Sequence, residues 1–133
     1  MKYLLDTNAC IGYLNGRAVG VRQRLETLPP ADVFVCSVVK AELFYGAMES
    51  THPANTFARQ IAFLKPFDSL PFDDAAAEEY GRLRAYLEKQ GNLIGPNDLL
   101  IAAIALSQGV TLVTHNANEF QRVPNLTFED WQA

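Results

Sequence analysis

Short apolar segments alternate with segments of helical periodicity, and this alternation constrains the fold more than any other feature of the chain. Strands are expected at residues 2–5, 33–36, 69–72, 110–114 and 126–128, of which the third and fifth are the weaker candidates. Runs that are apolar on both faces are typical of parallel sheets, in which helices cover each side. The pattern therefore predicts an α/β fold with a central parallel sheet.

Six helical segments fill the spaces between these strands. Ser37 is expected to cap the third helix and Asp73 the fifth, while Pro96 suits the first position of the sixth. The body of the sixth, LLIAAIALS, is apolar nearly all round and should be buried. The expected helices cover residues 8–14, 19–28, 38–48, 54–64, 74–90 and 96–108.

Composition narrows the class of protein further. The 133 residues suit one domain, 1–133, and 49% apolar residues are enough for a core. A net charge of −4 argues against a protein that coats nucleic acid, although it allows a small local contact. The longest apolar stretch, 99–106, is too short to span a membrane, so we expect a cytoplasmic protein. Cys10 and Cys36 are expected to be buried thiols rather than a disulfide.

Polar side chains follow three of the predicted strands directly. These are Asp6, Ser37 and the run Thr114–His115–Asn116. In open parallel sheets the carboxyl ends of the strands share one edge, and ligands bind there. We therefore expect these side chains to meet at one edge of the sheet.

Three acidic residues lack an evident partner in the sequence. Asp6 could be a helix cap, although Thr7 and Asn8 could each take that role. Glu42 has no cationic neighbour one helical turn away, so it is either an exposed outer-face residue or part of a site. Asp98 could serve only to complement a helix dipole.

Asn116 and Glu119 follow the fourth strand and, like His115, could be ordinary loop residues. Taken with the three acids, however, they predict carboxylates that converge and need a cation between them. Oxygen ligands favour Mg²⁺ or Mn²⁺, and the sequence has no zinc cluster, phosphate-binding glycine loop or serine nucleophile motif. This chemistry suits phosphodiester hydrolysis by a metal-activated water.

Four segments together resemble the PIN-domain ribonucleases, and within them the VapC-type toxins of bacterial toxin–antitoxin pairs. They are LLDTN at the N-terminus, SVVKAELFYGA around Glu42, IGPNDLLIAAIA around Asp98, and LVTHNANEF. The resemblance implies a three-layer α/β/α sandwich and an Mg²⁺ or Mn²⁺ site formed by Asp6, Glu42 and Asp98. It also implies an RNA-cleaving toxin.

The fourth motif departs from the family pattern, because Asn116 stands where an acid is common. Either Asn116 supplies a neutral oxygen or Glu119 supplies the carboxylate. The resemblance also implies supporting roles for Thr7 and Asn8, which would hold Asp6 or the attacking water, and for the Thr114 hydroxyl.

The resemblance further implies a cognate VapB-type antitoxin, a homodimer that forms a larger assembly with it, and an RNA substrate. The late motifs resemble the subgroup that cleaves the anticodon loop of initiator tRNA. Candidate RNA contacts are Arg17, Arg22, Arg24, Lys40, Arg82 and Arg84. Two other readings remain: a degenerate scaffold that only binds its partner, and a phosphatase with an aspartyl nucleophile, which Asn8 disfavours.

Overall fold

A computed structural model describes residues 1–132, and its centre is a parallel five-stranded sheet. The spatial order is β3-β2-β1-β4-β5, so β1 lies in the middle with Leu4 paired to Phe34 on one side and Leu112 on the other. The strands are β1 (Tyr3–Leu5), β2 (Val33–Cys36), β3 (Asp68–Leu70), β4 (Thr111–Val113) and β5 (Phe128–Glu129).

Seven helices connect these strands in the described part of the chain, with one 3-10 turn at Pro30–Asp32. The two longest, α5 and α6, lie between β3 and β4 and pack against each other. The helices are α1 (Thr7–Leu14), α2 (Val19–Thr27), α3 (Ser37–Met48), α4 (Pro53–Leu64), α5 (Asp74–Lys89), α6 (Pro96–Gln108) and α7 (Ala117–Phe120).

The strand order divides the helices into two layers. Crossovers between parallel strands are right-handed, so α1 to α4 cover one face while the chain runs from β1 through β2 to β3. The chain then returns across the sheet to β4, which puts α5 and α6 on the opposite face. Contacts within each group agree with this division. The predicted α/β/α sandwich with a central parallel sheet is confirmed.

The core lies where β1 and β4 meet α6. Leu4, Leu112, Ile101 and Ile104 are all fully buried, and removal of each such side chain from water stabilises the fold by about 1.5–3 kcal/mol. Burial of α6 confirms the prediction from its nearly uniform apolar sequence. Because α6 and β1 are fixed by this core, the residues at their ends are held in place as well.

Local signals at the helix ends are confirmed in part. Asp73 caps α5 as predicted, since its carboxylate accepts from the Ala76 N–H at 3.0 Å. The expected cap at Ser37 is wrong, because Ser37 is the first residue of α3 and the cap position belongs to Cys36, whose side chain makes no capping bond. Gly109 ends α6 with φ of 65°, a left-handed conformation that glycine adopts without strain.

Strand and helix bounds differ from the predictions mainly at short elements. The third strand begins one residue earlier than expected, and the fifth is Phe128–Glu129 rather than 126–128. The segment around Glu119, which the sequence suggested was a loop, contains the one-turn helix α7. One turn is too short to show a hydrophobic period, so the sequence pattern could not reveal it.

The two cysteines are free and buried, as predicted. Burial raises the pKa of the Cys10 thiol well above its usual range, so this side chain behaves as a small apolar group. In the part of the chain that the structure describes, no helix is long and apolar enough to cross a membrane.

Candidate active site

The candidate site lies at the carboxyl edge of the sheet, where the strand order reverses. β1 and β4 are neighbours there, but β1 continues to one side of the sheet through β2, and β4 continues to the other through β5. Such a reversal opens a crevice between the loops that leave the two strands. Asp6 follows β1 and Thr114 follows β4, so both face this crevice.

Asp6 occupies the cap position of α1 and is buried. Its carboxylate accepts from the Ala9 N–H at 2.8 Å, and only 3% of the residue is exposed. Burial raises the pKa of Asp6 to about 6, with a smaller contribution from the charge of Glu42, while hydrogen bonds from Thr114 and Ala9 oppose the rise. The expectation that Thr7 and Asn8 would replace Asp6 as caps is therefore wrong.

Glu42 lies on α3 and faces the same region. The Thr7 hydroxyl donates to its Oε1 in a short hydrogen bond that joins α1 to α3. Glu42 is half-buried, so it is not an outer-face residue. Thr7 therefore supports Glu42 rather than Asp6, and Asn8 lines the cleft between these helices.

Asp98 and Glu119 form a close carboxyl pair. The pKa of Asp98 is raised to about 8, first by burial and then by the bond and charge of Glu119 and the charges of Asp6 and Glu42. The pKa of Glu119 is lowered, first by its bond with Asp98 and then by the Gly95 N–H and the Asn116 side chain. Of the two carboxyl groups, Asp98 is therefore the one whose protonated form is favoured.

The residues after β4 hold Glu119 in position. Its Oε1 accepts from the Gly95 N–H at 2.9 Å, and its Oε2 accepts from Asn116 Nδ2 at 2.8 Å. The Thr114 hydroxyl accepts from the Asn116 N–H at 2.9 Å and also bonds to Asp6. Thr114 thus connects Asp6 to the chain that carries Asn116 and Glu119.

A cleft of about 830 Å³ brings the three motif acids together. It is open to solvent on one side and lies between α1, α3 and the start of α6. Its lining includes two polar residues that sequence reasoning did not single out, Tyr45 and Asn97. The complete lining is Asp6, Thr7, Asn8, Ile11, Ser37, Val38, Ala41, Glu42, Tyr45, Asn97, Asp98 and Leu100.

The donor chemistry of this cleft fits a hard divalent cation. Each of Asp6 and Asp98 has its pKa raised partly by the charge of Glu42, and no described Lys or Arg forms an ion pair with any of these acids. Oxygen-only donors with unbalanced negative charge are suited to Mg²⁺ or Mn²⁺. Among residues 1–132, however, no three Asp, Glu, His or Cys side chains are positioned to bind one metal ion together.

Sequence reasoning missed Asp130, which follows β5 at the same edge of the sheet. Its charge contributes to the raised pKa of Asp6, and its Oδ2 lies 2.8 Å from His115 Nδ1. The position directly after a strand was the available signal, but the expected strand ended one residue too early, at 128 rather than 129, so Asp130 did not stand directly after it.

Comparison with known proteins identifies the family to which the chain belongs. The family model of the PIN domain matches residues 3–126. A relative from Shigella flexneri named "tRNA(fMet)-specific endonuclease VapC" is 40% identical over 131 residues, which cover 98% of each chain.

Solved structures show the same fold. A chain in VapBC2 from Rickettsia felis, bound to a DNA fragment from its promoter, aligns with a TM-score of 0.93 at 38% identity and covers 98% of this chain and 99% of that one. A Mycobacterium tuberculosis member of the "VapBC family of toxin-antitoxin systems" aligns with a TM-score of 0.71 at 29% identity, covering 99% and 98%. The chain belongs to the PIN-domain family and is of the VapC type.

Proposed function

We propose that this protein is a toxin that cleaves RNA, with Mg²⁺ or Mn²⁺ held at the carboxylate cleft, and that it acts in the cytoplasm. The observation that supports this most strongly is that Asp6, Glu42 and Asp98 line one cleft, where no described Lys or Arg forms an ion pair with them. Nucleases that hydrolyse phosphodiester bonds commonly use such a cation.

Asp6, Glu42 and Asp98 are the residues that would hold the ion. When bound, the cation lowers the pKa of a water molecule and offsets the negative charge on the reacting phosphate. Asp6 is anchored by the Ala9 N–H and Thr114, and Glu42 by Thr7, so the protein already restricts the orientation of these two carboxylates. Pre-oriented donors reduce the reorganisation that binding would otherwise require.

Glu119 has a positioning role in this proposal. It is held by Gly95 and Asn116 and lies against Asp98, so it stabilises the proton on the Asp98 carboxyl group while no cation is present. Asp98 would hold a cation in its ionised form, so metal binding and loss of this proton would be linked. This assigns the fourth carboxylate to Glu119, with Asn116 acting through it.

The proposed substrate is the anticodon loop of initiator tRNA, and the proposed inhibitor is a VapB-type antitoxin encoded nearby. The first rests on the name of the Shigella relative, and the second on solved complexes of the VapBC family. The homodimer implied by the family resemblance belongs to the same proposal.

The direct test is RNA cleavage by the Asp98→Asn variant, which keeps the shape of the side chain but removes its charge. The matched control is Asp74→Asn, because Asp74 is also an acid in the first turn of a helix but is exposed and lies outside the cleft. We expect the control and the parent to cleave initiator tRNA in Mg²⁺ but not in EDTA, and Asp98→Asn to be inactive.

The degenerate scaffold makes a different prediction. A scaffold would bind antitoxin but cut no RNA in any metal, and its expression would not arrest growth. If Asp98→Asn cleaves as fast as the parent, the assignment of the metal site is wrong.

A further inference from the structure

A second cleft adjoins the carboxylate cleft, and the two share Asn8 and Ile11 in their walls. The second cleft has a volume of about 380 Å³. It runs from the end of α1 to the segment after β4. Its remaining lining consists of Gly12, Asn15, Arg17, His115, Asn116 and Gln132.

The two clefts differ in charge. Asp6, Glu42 and Asp98 line the first, whereas no carboxylate lines the second, whose polar groups are four amide side chains, Arg17 and His115. Without a bound cation, the first cleft would repel a phosphate group of a polyanion. The second cleft carries the positive charge of Arg17 and would attract a neighbouring phosphate. This arrangement suits a chain of phosphates that crosses from one cleft to the other.

Arg17 is the only candidate among the six basic residues from the sequence that lines this cleft. Arg24 lies over the Trp131 ring and 3.7 Å from Glu129, and Arg84 forms an ion pair with Glu88 at 2.8 Å. In the described residues, no hydrogen bond or ion pair engages the Arg17 guanidinium. Its charge is therefore available to a ligand.

The backbone places Arg17 at the mouth of this cleft. The Arg17 N–H donates to Asn15 Oδ1 at 3.0 Å, and Gly16 between them has φ of 75°. This tight turn between α1 and α2 leaves the Arg17 side chain exposed. An exposed arginine on a fixed turn suits bidentate contact with a phosphate.

His115 provides a different kind of contact. Its Nδ1 bonds to Asp130, which fixes the ring, while 59% of the side chain remains exposed. A fixed and accessible imidazole ring can stack on an unpaired base, and amides such as Asn8 and Gln132 can bond to base edges. Proteins read single-stranded RNA in this way.

We infer that this second cleft, defined by Asn8, Asn15, Arg17, His115 and Gln132, binds the single-stranded RNA that flanks the scissile phosphate. Arg17 holds a phosphate and His115 stacks on a base. The inference rests on the proposed function and extends it by assigning a substrate subsite. A protein segment is less favoured as the ligand of the second cleft. A segment whose basic side chain enters the acidic cleft would place positive charge near Arg17, and the two charges would repel each other.

The test measures RNA binding without cleavage. A fluorescein-labelled anticodon stem-loop of initiator tRNA is titrated with the full chain in EDTA, and the anisotropy is followed at several salt concentrations. The variants are Arg17→Gln and, as a matched control, Arg82→Gln. Arg82 is an exposed arginine on α5 that forms an ion pair with Glu79 and lines neither cleft, so the structure removes it from the candidate RNA contacts.

We expect Arg17→Gln to weaken binding several-fold and to reduce the slope of log affinity against log salt by about 0.7, the value for one single-strand phosphate contact. Arg82→Gln should leave both quantities at the parent value. His115→Ala should weaken binding without changing the slope, and Arg17→Lys should restore the slope. A thermal melt of each variant checks that it remains folded.

Three results would overturn the inference. The first is an equal effect of Arg17→Gln and Arg82→Gln, and the second is a parent that binds no RNA. The third is an Arg17→Gln variant that binds RNA normally but loses affinity for the antitoxin, which would assign the cleft to the protein partner. Since binding is measured in EDTA, failure of the parent to cleave RNA in Mg²⁺ refutes the proposed activity separately.

Discussion

The starts of α1 and α5 show the same local structure in two different environments. Asp6 and Asp73 each cap a helix, and each accepts from the N–H three residues later, Ala9 at 2.8 Å and Ala76 at 3.0 Å. Asp73 is exposed, whereas Asp6 is 3% exposed and is influenced by the charge of Glu42. A cap is therefore a local property, and its surroundings decide whether the same carboxylate can also serve in a site.

The largest expected effect is a difference in RNA cleavage between variants of these two aspartates. Asn caps helices about as well as Asp, so Asp6→Asn and Asp73→Asn both keep their helix starts. We expect Asp6→Asn to reduce the rate of RNA cleavage by about 10²–10³-fold, because it loses an anionic metal ligand. Asp73→Asn should cleave at the parent rate in a single-turnover assay with Mg²⁺.

Equal loss of activity in the two variants would break the comparison, because capping alone would then explain the importance of Asp6. Equal retention would remove Asp6 from the site.

A smaller effect is expected where the acid acts through another residue. Glu119→Gln removes the charge that lies against Asp98 but keeps an oxygen for the Gly95 N–H. We expect it to reduce cleavage by about 10–100-fold, in the range for residues that support a metal ligand. Asn116→Ala should have a weaker effect, since the Asn116 side chain donates to Glu119 and acts on Asp98 through it.

The cleavage rates of the two variants are compared at several Mn²⁺ concentrations. If these residues only support a metal ligand, a high Mn²⁺ concentration should partly restore the rate. If Asn116→Ala is the more damaging change, then Asn116 rather than Glu119 completes the site.

When no metal is present, we expect Asp6→Asn, the less active protein, to be more stable than the parent. The pKa of Asp6 is about 6 in the folded protein against 3.8 ordinarily, so between about pH 4 and pH 6 the folded state retains a proton that the unfolded state releases. This contribution makes the parent less stable as pH rises through that window. Asp6→Asn should therefore be more stable than the parent by about 1–3 kcal/mol above pH 6.5 in EDTA.

Chemical denaturation at pH 4 and at pH 7.5 measures this difference. The stability advantage of Asp6→Asn should be close to zero at pH 4 and fully present at pH 7.5. An advantage of the same size at both values would mean that packing, rather than charge, is responsible.

The smallest expected effect concerns the exposed cap. Asp73→Ala removes the acceptor for the Ala76 N–H and should cost about 1 kcal/mol of unfolding free energy. Cleavage activity should not change at a temperature where the variant remains folded. A loss of activity without a loss of stability would show that α5 communicates with the site.

Much of the fold was predictable because its signals are local. The alternation of apolar runs with helical periods gave the parallel sheet, and the apolar body of α6 gave its burial. The one-turn helix that carries Glu119 was missed, since four residues contain too little pattern.

The site was only partly predictable, because its last steps depend on tertiary contacts. Motif order identified Asp6, Glu42 and Asp98, and the structure places all three on one cleft. The sequence did not show that Thr7 bonds to Glu42 or that Glu119 lies against Asp98 and raises its pKa. Those pairs are separated by tens of residues, and only the folded sheet edge brings them together.

The most direct test of the central claim is a titration of Mn²⁺ into the metal-free protein, followed by electron paramagnetic resonance of the free ion. The parent and Asp73→Asn should each remove Mn²⁺ from solution, and Asp6→Asn and Asp98→Asn should not. Undiminished Mn²⁺ binding by Asp6→Asn, or no binding by the parent, would contradict a metal site at the carboxylate cleft.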